Sequence, residues 1–335
     1  MQAEVSETSR FGFDSLTRYF FLKGSIVKIA YSLCGEGLGH CTRAIALMES
    51  LPADYTFYTY GDAYEYMSLL GYDVRNINGL SFHFDKNGNI NNLKTAISGA
   101  KFLSKNRPEM SGRPDLCISD WEPTIYRFAK SINVPCISIT SQHKFRFHKG
   151  IANYKMYSIG MSLLCRLFRA DHYVVSSFQY GLVKQLDNVT PVYGFINSKI
   201  QEKEKDPQVL VVYSKHPRIT TEIKRRFSKA YDDIRVFTGS SDFYDHLCIA
   251  DRVASTSGCQ LISECGHLGT PLHLFPIFKQ YEQIINAIDA EKFGIAKYEK
   301  FGDKIYTKKT LPNMGKPFHL ENGINKTVEI VRAFL

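Results

Sequence analysis

The sequence lacks an apolar run long enough to cross a membrane, and it lacks the cysteine spacing of a zinc site. A membrane-spanning helix needs about 20 apolar residues, whereas the interior apolar segment YSIGMSLLCRLF is shorter and is interrupted by Arg166. The eight cysteines include no C-x-x-C pair, and no histidine cluster lies at zinc-ligand spacing. We therefore expect a soluble or peripheral protein without a zinc site.

A secretory signal and low-complexity tracts are also absent from the sequence. Most of the cysteines lie in apolar runs such as DLCIS and VPCISI, which is typical of reduced, buried thiols. This usage favours a cytoplasmic protein, and peripheral binding at the inner face of a membrane stays open. The hydrophobic fraction of 44% indicates a folded chain, and 335 residues predict two domains.

Acidic residues are missing from one long stretch of a basic chain. The formal net charge is +9 and the pI is near 9.0. Between His143 and Ala170 there is no Asp or Glu, while the stretch contains six cations, Lys144, Arg146, Lys149, Lys155, Arg166 and Arg169. This pattern indicates either a solvated basic face or an anionic partner, which could be a nucleotide, a phosphate-bearing acceptor, an anionic lipid surface or nucleic acid.

Short β-branched runs alternate with helical patterns along the chain, beginning with the strand SIVKIAYSL and the helix CTRAIALMESL. Such alternation predicts parallel sheets covered by helices on both faces. DHYVVSS is predicted as the last strand of the first half, and the aperiodic, charged segment NVTPVYGFINSKIQEKEKDP is predicted as a linker. The predicted units are an N-terminal extension (1–24), a first Rossmann-like domain (25–194), a linker (195–207) and a second Rossmann-like domain (208–335).

A glycine-rich loop, CGEGLGHCTR, follows the first strand and ends at His40. A dinucleotide-binding loop would also need an acidic residue at the end of the second strand, and Asp62 lies just beyond that strand. Spacing alone therefore leaves a phosphate-binding loop open. The alternative is that the glycines form a tight turn that brings His40 to a cleft.

The second half contains the denser pattern, STSGCQLISECGHLGTPLHLFPIFKQYEQIINA. Ser257, Gly258 and Cys259 lie between a strand and a helix, where backbone amides and the helix N-terminus suit a diphosphate. Glu264 lies farther along that helix, where its carboxylate could accept hydrogen bonds from ribose hydroxyls. Polar groups also begin the next helix, at Glu282, Gln283 and Asn286.

This order of residues resembles the donor-binding signature of GT-B glycosyltransferases. The similarity is strongest to the N-acetylglucosaminyltransferase that makes lipid II and to the UDP-glucuronosyl and plant secondary-metabolite enzymes. The matching positions are Ser257-Gly258, Ser263-Glu264, Gly269-Thr270-Pro271, and Pro276 with Glu282-Gln283 and Asn286-Ala287. The resemblance implies two tandem Rossmann-like, doubly wound domains facing a cleft.

The resemblance also implies roles for the donor-side residues. Glu264 would bind ribose, Gly258 and Cys259 the diphosphate, and Glu282 and Gln283 the sugar hydroxyls. The segment SDFYDHLCIAD resembles the loop that holds uracil through main-chain groups, which implicates two further residues, Phe243 and Tyr244. A purely structural alternative remains, in which Glu264 is a solvated helix residue and Gln283 a polar residue at a helix N-terminus.

His40 occupies the position of a cleft-facing histidine in the resembling enzymes. An imidazole can take the proton that an attacking alcohol loses, provided that a carboxylate orients it. Asp120 is the expected partner because PDLCISD ends a central parallel strand at the edge where the glycine loop also lies. An alternative, compatible role for Asp120 is to cap the helix that begins near Glu122.

Four other residues are assigned to the cleft. Gly39 and Lys215 are expected near the diphosphate of the leaving group, and Glu36 and His143 on the acceptor side. No D-x-D motif of the metal-dependent glycosyltransferases stands at a strand end. The sequence therefore predicts metal-independent chemistry, with a UDP-sugar as co-substrate and no other cofactor.

The leading hypothesis is an inverting glycosyltransferase of glycan biosynthesis that uses a UDP-sugar, with His40 as general base and Asp120 as its partner. The acceptor could be a glycan, a lipid-linked sugar or a small molecule. Two other classes stay open. One is a UDP-sugar 2-epimerase of the same fold, and the other is a basic nucleic-acid-associated protein, including a glycosyltransferase that modifies DNA.

Overall fold

The computed structural model describes residues 26–79, 83, 94, 110, 112–150, 162, 165–239, 242–278, 280–302, 304–312 and 320–335. The predicted N-terminal extension lies outside these residues. The described chain forms two parallel sheets with helices between their strands, which confirms the predicted α/β class. None of the described helices has the length and apolar content needed to cross a membrane.

The first sheet contains seven parallel strands in the order β3-β2-β1-β4-β5-β6-β7. Its strands are β1 (Lys28–Leu33), β2 (Asp54–Thr59), β3 (Val74–Asn76), β4 (Leu116–Asp120), β5 (Cys136–Ile139), β6 (His172–Ser176) and β7 (Val189–Val192). Its helices are α1 (Gly39–Ser50), α2 (Gly61–Leu69), α3 (Thr124–Ser131) and the single turn α4 (Lys144–Phe147). Every residue of β4 and β5 is buried, as expected for central parallel strands.

The second sheet contains five parallel strands in the order β12-β11-β10-β8-β9. Its strands are β8 (Asp206–Tyr213), β9 (Asp233–Phe237), β10 (Ala250–Ser255), β11 (Leu272–Leu274) and β12 (Ala296–Tyr298). The helices that follow are α5 (Pro217–Phe227), α6 (Phe243–Ile249), α7 (Cys259–Leu268), α8 (Tyr281–Lys292) and α9 (Ile324–Arg332).

The first sheet has one strand more than the sequence predicts. DHYVVSS forms β6, but it is not the last strand, because the segment VTPV forms β7 and pairs with it. Pro191 and the lack of periodicity favoured a linker here. The strand tolerates proline because β7 is at the edge of the sheet, where a missing backbone N–H breaks no ladder between two neighbours.

Each sheet has a point where the strand order reverses. In the first sheet it lies between β1 and β4, and in the second between β8 and β10. Ligands of open α/β sheets bind beyond the carboxyl ends of the strands at such points. The loops that begin at Cys34, after β1, and at Thr256, after β10, therefore lie where ligands are expected.

The C-terminal helix α9 packs against the first sheet, although the predicted boundary groups residues 208–335 with the second. Ile324, Val328 and Val331 lie in the same apolar cluster as Leu47 and Leu51, at the end of α1. The chain thus crosses back between the two sheets at its C-terminus. The other domain boundaries stay a prediction.

We expect Val331→Ala to lower the free energy of unfolding of the first-sheet unit. Val331 is fully buried, so losing two methyl groups and leaving a cavity should cost about 2 kcal/mol. Trp121 is the only tryptophan and belongs to the first-sheet unit, so its fluorescence reports that unit during urea unfolding. Lys326→Ala, on the exposed side of α9, is the control. An unchanged Trp121 transition in Val331→Ala would contradict this packing.

Candidate active site between the two sheets

The glycine loop after β1 packs tightly against the end of β2. A β-carbon at Gly35 would lie 2.1 Å from the carbonyl oxygen of Tyr60, so a larger residue would force the two segments apart. Gly37 has φ +78°, in the left-handed region that glycine adopts most easily. Together these glycines allow the chain to turn at once into α1. The turn places His40 in the first turn of that helix, at the carboxyl edge of the sheet.

His40 and Asp120 are in direct contact at the reversal point of the first sheet. The Nδ1 atom of His40 lies 2.8 Å from Oδ1 of Asp120. Asp120 ends β4 opposite Leu33 of β1, and its carbonyl oxygen accepts a hydrogen bond from the Cys34 amide. A carboxylate at Nδ1 favours the tautomer that carries its proton there. The Nε2 atom of His40 bonds to no residue that the structure describes, which leaves it available to a ligand.

Arg43 is a third member of this cluster and is not among the site residues predicted from the sequence. Its Nε and Nη2 atoms donate to the two carboxylate oxygens of Asp120 at 2.8 and 2.7 Å. Burial alone would raise the pKa of Asp120, but the Arg43 guanidinium and the hydrogen bond with His40 hold it below its ordinary value. Asp120 is therefore an anion. The available signal was the spacing of His40 and Arg43, three residues apart on one helix.

Glu122, rather than Asp120, caps α3. Its Oε2 atom accepts hydrogen bonds from the backbone amide of Thr124 at 2.9 Å and from the hydroxyl of Ser32 at 3.0 Å. The capping role that was left open for Asp120 is thus filled by its neighbour. Between them, Trp121 has φ +59°, which is unfavourable for a bulky residue. Because of this strained turn, the Asp120 side chain contacts α1 while the Glu122 side chain contacts the N-terminus of α3.

The loop from Ser257 to Cys259 follows β10 at the reversal point of the second sheet and begins α7 without a side-chain cap. Two side chains of α8 hold its backbone. Gln283 Oε1 lies 3.4 Å from the Ser257 amide nitrogen, and Asn286 Nδ2 donates to the Ser257 carbonyl at 2.8 Å. These contacts fix the loop while the first amides of α7 stay free of a capping side chain.

Glu264 is almost fully buried, which excludes the alternative of a solvated helix residue. Its Oε1 atom accepts hydrogen bonds from Gln260 Nε2 at 2.9 Å and from the Tyr244 hydroxyl at 3.2 Å. Burial raises the pKa of Glu264 to about 7, although these two hydrogen bonds act to lower it. Phe243, by contrast, packs its ring into the core against Phe237.

The N-termini of α1 and α7 meet across the boundary between the sheets. A β-carbon at Gly39 would lie 3.7 Å from the β-carbon of Gln260, and Gln260 donates to the carbonyl of Phe195 at 2.7 Å. Neither helix has a side-chain cap at its N-terminus. Both therefore present partial positive charge to the same space.

Lys144 also crosses this boundary. It is fully buried in α4, and its Nζ atom lies 2.5 Å from Oδ1 of Asn286 and above the rings of Phe145 and Phe178. Within the described ranges it has no carboxylate partner. In the sequence Lys144 is one of the six cations of the basic stretch, and no pattern distinguishes it from the other five.

The remaining predicted residues lie in varied settings. Lys215 forms an ion pair with Asp62 of α2 at 2.7 Å, and both side chains are about half exposed. Asp62, the acidic residue that the dinucleotide-binding alternative required, is therefore engaged by the second unit. Glu36 lies partly buried in the glycine loop, and Glu282 is partly buried in the first turn of α8.

His143, predicted on the acceptor side, is fully buried. Its ring packs edge-on to Trp121 and Tyr173, and neither ring nitrogen has a hydrogen-bond partner within the described part of the chain. Burial, with a smaller effect from Arg146, lowers the pKa of His143 to about 3. The ring is therefore neutral. An acceptor-side role for His143 stays a prediction.

All eight cysteines are buried and none forms a disulfide, which agrees with the buried thiols predicted for most of them. Among the residues that the structure describes, no group of three His, Cys, Asp or Glu side chains is arranged to hold a metal ion.

Comparisons with solved structures identify the architecture. The glycosyltransferase of kitacinnamycin aligns with a TM-score of 0.59 and 13% identity over 92% of this chain and 99% of that chain. LpCGTa, solved in complex with UDP, aligns with a TM-score of 0.55 and 14% identity over 92% and 94% of the two chains. MurG from Acinetobacter baumannii aligns with a TM-score of 0.54 and 11% identity over 92% and 99%. At such low sequence identity the structural similarity shows the fold alone. The fold is GT-B, as predicted.

A search of curated proteins finds no match. The family model described as glycosyl transferase family 1 matches residues 27–308, which include both sheets and the candidate site. Because this match covers most of the chain, the protein belongs to glycosyl transferase family 1 and is a glycosyltransferase.

Proposed function

We propose that the protein transfers a sugar from a UDP-sugar to an acceptor hydroxyl by a metal-independent, inverting reaction. The hydrogen bond between His40 and Asp120 carries this proposal, because it orients a histidine at the reversal point of the first sheet. The uncapped N-terminus of α7 lies across the cleft from it and suits the diphosphate of a donor.

In the proposed reaction, the acceptor oxygen attacks the anomeric carbon while His40 Nε2 takes the hydroxyl proton. The bond between the anomeric carbon and the phosphate oxygen breaks, and UDP leaves with the electron pair. A single displacement inverts the anomeric configuration. Asp120 orients the imidazole and stabilises the imidazolium that forms. Arg43 keeps Asp120 in its anionic form.

On the donor side, Glu264 would accept hydrogen bonds from the ribose, while the loop at Gly258 and the amide of Cys259 would bind the diphosphate. The Gly258 amide itself donates to the Thr256 carbonyl at 3.0 Å, so it would have to exchange this partner for a phosphate oxygen. The N-terminus of α1 at Gly39 adds positive potential from the opposite side of the cleft. The resemblance assigns uracil to the segment of Phe243 and Tyr244, and the sugar hydroxyls to Glu282 and Gln283. Lys215 and the two helix N-termini would stabilise the leaving group as a metal does in other enzymes.

The choice of UDP is supported by similar structures that contain a uridine nucleotide. LpCGTa was solved with UDP, and UGT2 of Phytolacca americana with UDP-2-fluoro-glucose and pterostilbene. We place the reaction in the cytoplasm, with residues 25–194 on the acceptor side and residues 208–335 on the donor side. Glu36 and His143 are proposed to lie towards the acceptor, which could be a glycan, a lipid-linked sugar or a small molecule.

The nucleotide preference is the first test. We expect UDP to raise the melting temperature of the protein more than GDP or TDP at equal concentration, because only the folded state contains the site. Incubation with UDP-sugars in the absence of acceptor should give no epimer. A larger shift with GDP or TDP would overturn the choice of nucleotide, and formation of an epimer would indicate a 2-epimerase instead.

Replacing His40 by Gln should lower the turnover number by about 10²–10⁴-fold, because the acceptor loses its general base. The dissociation constant for UDP should stay close to that of the unchanged protein. Transfer of radiolabelled sugar from the donor measures the first quantity and calorimetry the second. His172→Gln is the matched control, because His172 is the first residue of β6 and lies at the amino edge of the first sheet, away from the carboxyl edge that holds His40. Unchanged turnover in His40→Gln would remove His40 from the role of base.

Glu264 makes UDP binding depend on pH. Because its pKa is about 7 in the ligand-free protein, the carboxylate is largely protonated below that pH and is a poorer acceptor for ribose hydroxyls. Affinity for UDP should therefore rise as the pH rises through about 7. We expect Glu264→Gln to bind more weakly and to lose this rise.

Calorimetry on the two proteins across this pH range separates the effect of Glu264 on UDP affinity from the effect of protonating UDP itself, since UDP titrates equally in both experiments. Glu329→Gln, on the exposed face of α9, is the control variant and should match the unchanged protein. Parallel pH profiles for the unchanged protein and Glu264→Gln would show that Glu264 does not contact the nucleotide.

A further inference from the structure

A cavity of about 570 Å³ opens on the first-sheet unit, and its lining includes none of the residues assigned to the active site. Three arginines face it, Arg146 from α4 and Arg166 and Arg169 from the segment before β6. Tyr126 and Tyr173 line it as well, and none of the described residues that line it is acidic. The structure thus gathers three cations of the basic stretch around one space. Arg166 and Arg169 are exposed and Arg146 is partly buried, so the cavity is open to solvent on the side of the first two.

None of these three arginines has a carboxylate within ion-pair distance in the described part of the chain. Arg146 donates to the hydroxyl of Tyr173 at 3.0 Å and lies over the Tyr173 ring. Elsewhere Arg43 and Arg226 are paired with buried carboxylates. Among the described residues, the cavity therefore has three positive charges and no carboxylate partner for them, and an anionic ligand would offset these charges.

The chemistry of the lining selects the kind of anion. Guanidinium groups present planar pairs of N–H donors that match the oxygens of phosphate, and a doubly charged phosphate balances several arginines better than a single carboxylate does. The volume is typical of pockets for organic ligands and exceeds that of inorganic phosphate. The aromatic rings of Phe147 and Tyr173 could pack against the organic part of such a ligand.

We propose that this cavity, the arginine pocket, binds the phosphate-bearing group of an organic ligand. The ligand is either a soluble phosphorylated compound or a lipid with a phosphate headgroup. Binding at the arginine pocket does not depend on the reaction proposed above, since its lining shares no residue with the donor or catalytic groups.

The protein contains a built-in reporter for this site. Trp121, the only tryptophan, stacks on Phe168 with ring centroids 3.9 Å apart. Phe168 lies between Arg166 and Arg169 in the sequence, and Trp121 also contacts His143 edge-on. A ligand that orders the two arginines should therefore change the fluorescence of Trp121.

The test is a titration of Trp121 fluorescence with inorganic diphosphate at constant ionic strength. We expect Arg166→Gln/Arg169→Gln to raise the dissociation constant by about tenfold or more, since at least one charge-assisted hydrogen bond is lost. Both arginines are exposed, so the variant should fold. Lys224→Gln/Lys229→Gln removes the same charge from an exposed part of the second-sheet unit and should match the unchanged protein. Diphosphate bound in the donor site would affect all three proteins equally.

A second arm uses phosphatidylcholine vesicles that contain phosphatidic acid, compared with vesicles of equal charge that contain phosphatidylserine. Arginine-dependent binding of diphosphate supports a soluble ligand, and arginine-dependent preference for phosphatidic acid supports a lipid headgroup. If Arg166→Gln/Arg169→Gln and the lysine control behave alike in both arms, the arginine pocket does not recognise phosphate and the proposal is wrong.

Discussion

The buried carboxylate of Asp120 is the group on which the arrangement of the site depends. A carboxylate with no solvent exposure is costly unless it is paired and hydrogen bonded, and Asp120 meets this condition through Arg43 and His40. Both partners come from the first two turns of α1. The need to satisfy one carboxylate thus fixes the position of α1 relative to β4. The glycine loop has to be short and tight because of this constraint.

A small number of side-chain contacts also fixes the second-sheet side of the cleft. Gln283 and Asn286, two residues that the donor signature contains, contact the amide and the carbonyl of Ser257. Asn286 also accepts the hydrogen bond from Lys144. Asn286 therefore both fixes the Ser257 loop and contacts the first-sheet unit. The position of that loop and the approach of the two units are coupled through one side chain.

The sequence predicted the meeting of His40 and Asp120 because both follow neighbouring parallel strands, whose carboxyl ends share one edge. The same reasoning predicted the Ser257 loop. Two elements were not predicted from the sequence. The strand β7 contains a proline and lies in a segment without periodicity, which is typical of a linker. The helix α9 packs against α1, which lies almost 300 residues earlier in the chain. The cap of α3 was also assigned incompletely, since the choice between Asp120 and Glu122 depends on the strained turn at Trp121. Such choices depend on tertiary contacts that leave no periodic signal.

Lys144 is the clearest example of a residue whose setting could not be predicted from the sequence, and it bears on the proposed reaction. A buried ammonium group that is hydrogen bonded to one amide oxygen within the described ranges is poorly compensated, because an amide dipole offsets only part of a full charge. The uncapped N-termini of α1 and α7 add positive potential at the same boundary. In the proposed function, this field exists before the donor arrives and is aimed at the diphosphate, where negative charge increases as the sugar leaves. Little reorganisation would then be needed during transfer, which is the condition under which fixed charges and dipoles stabilise a transition state most effectively.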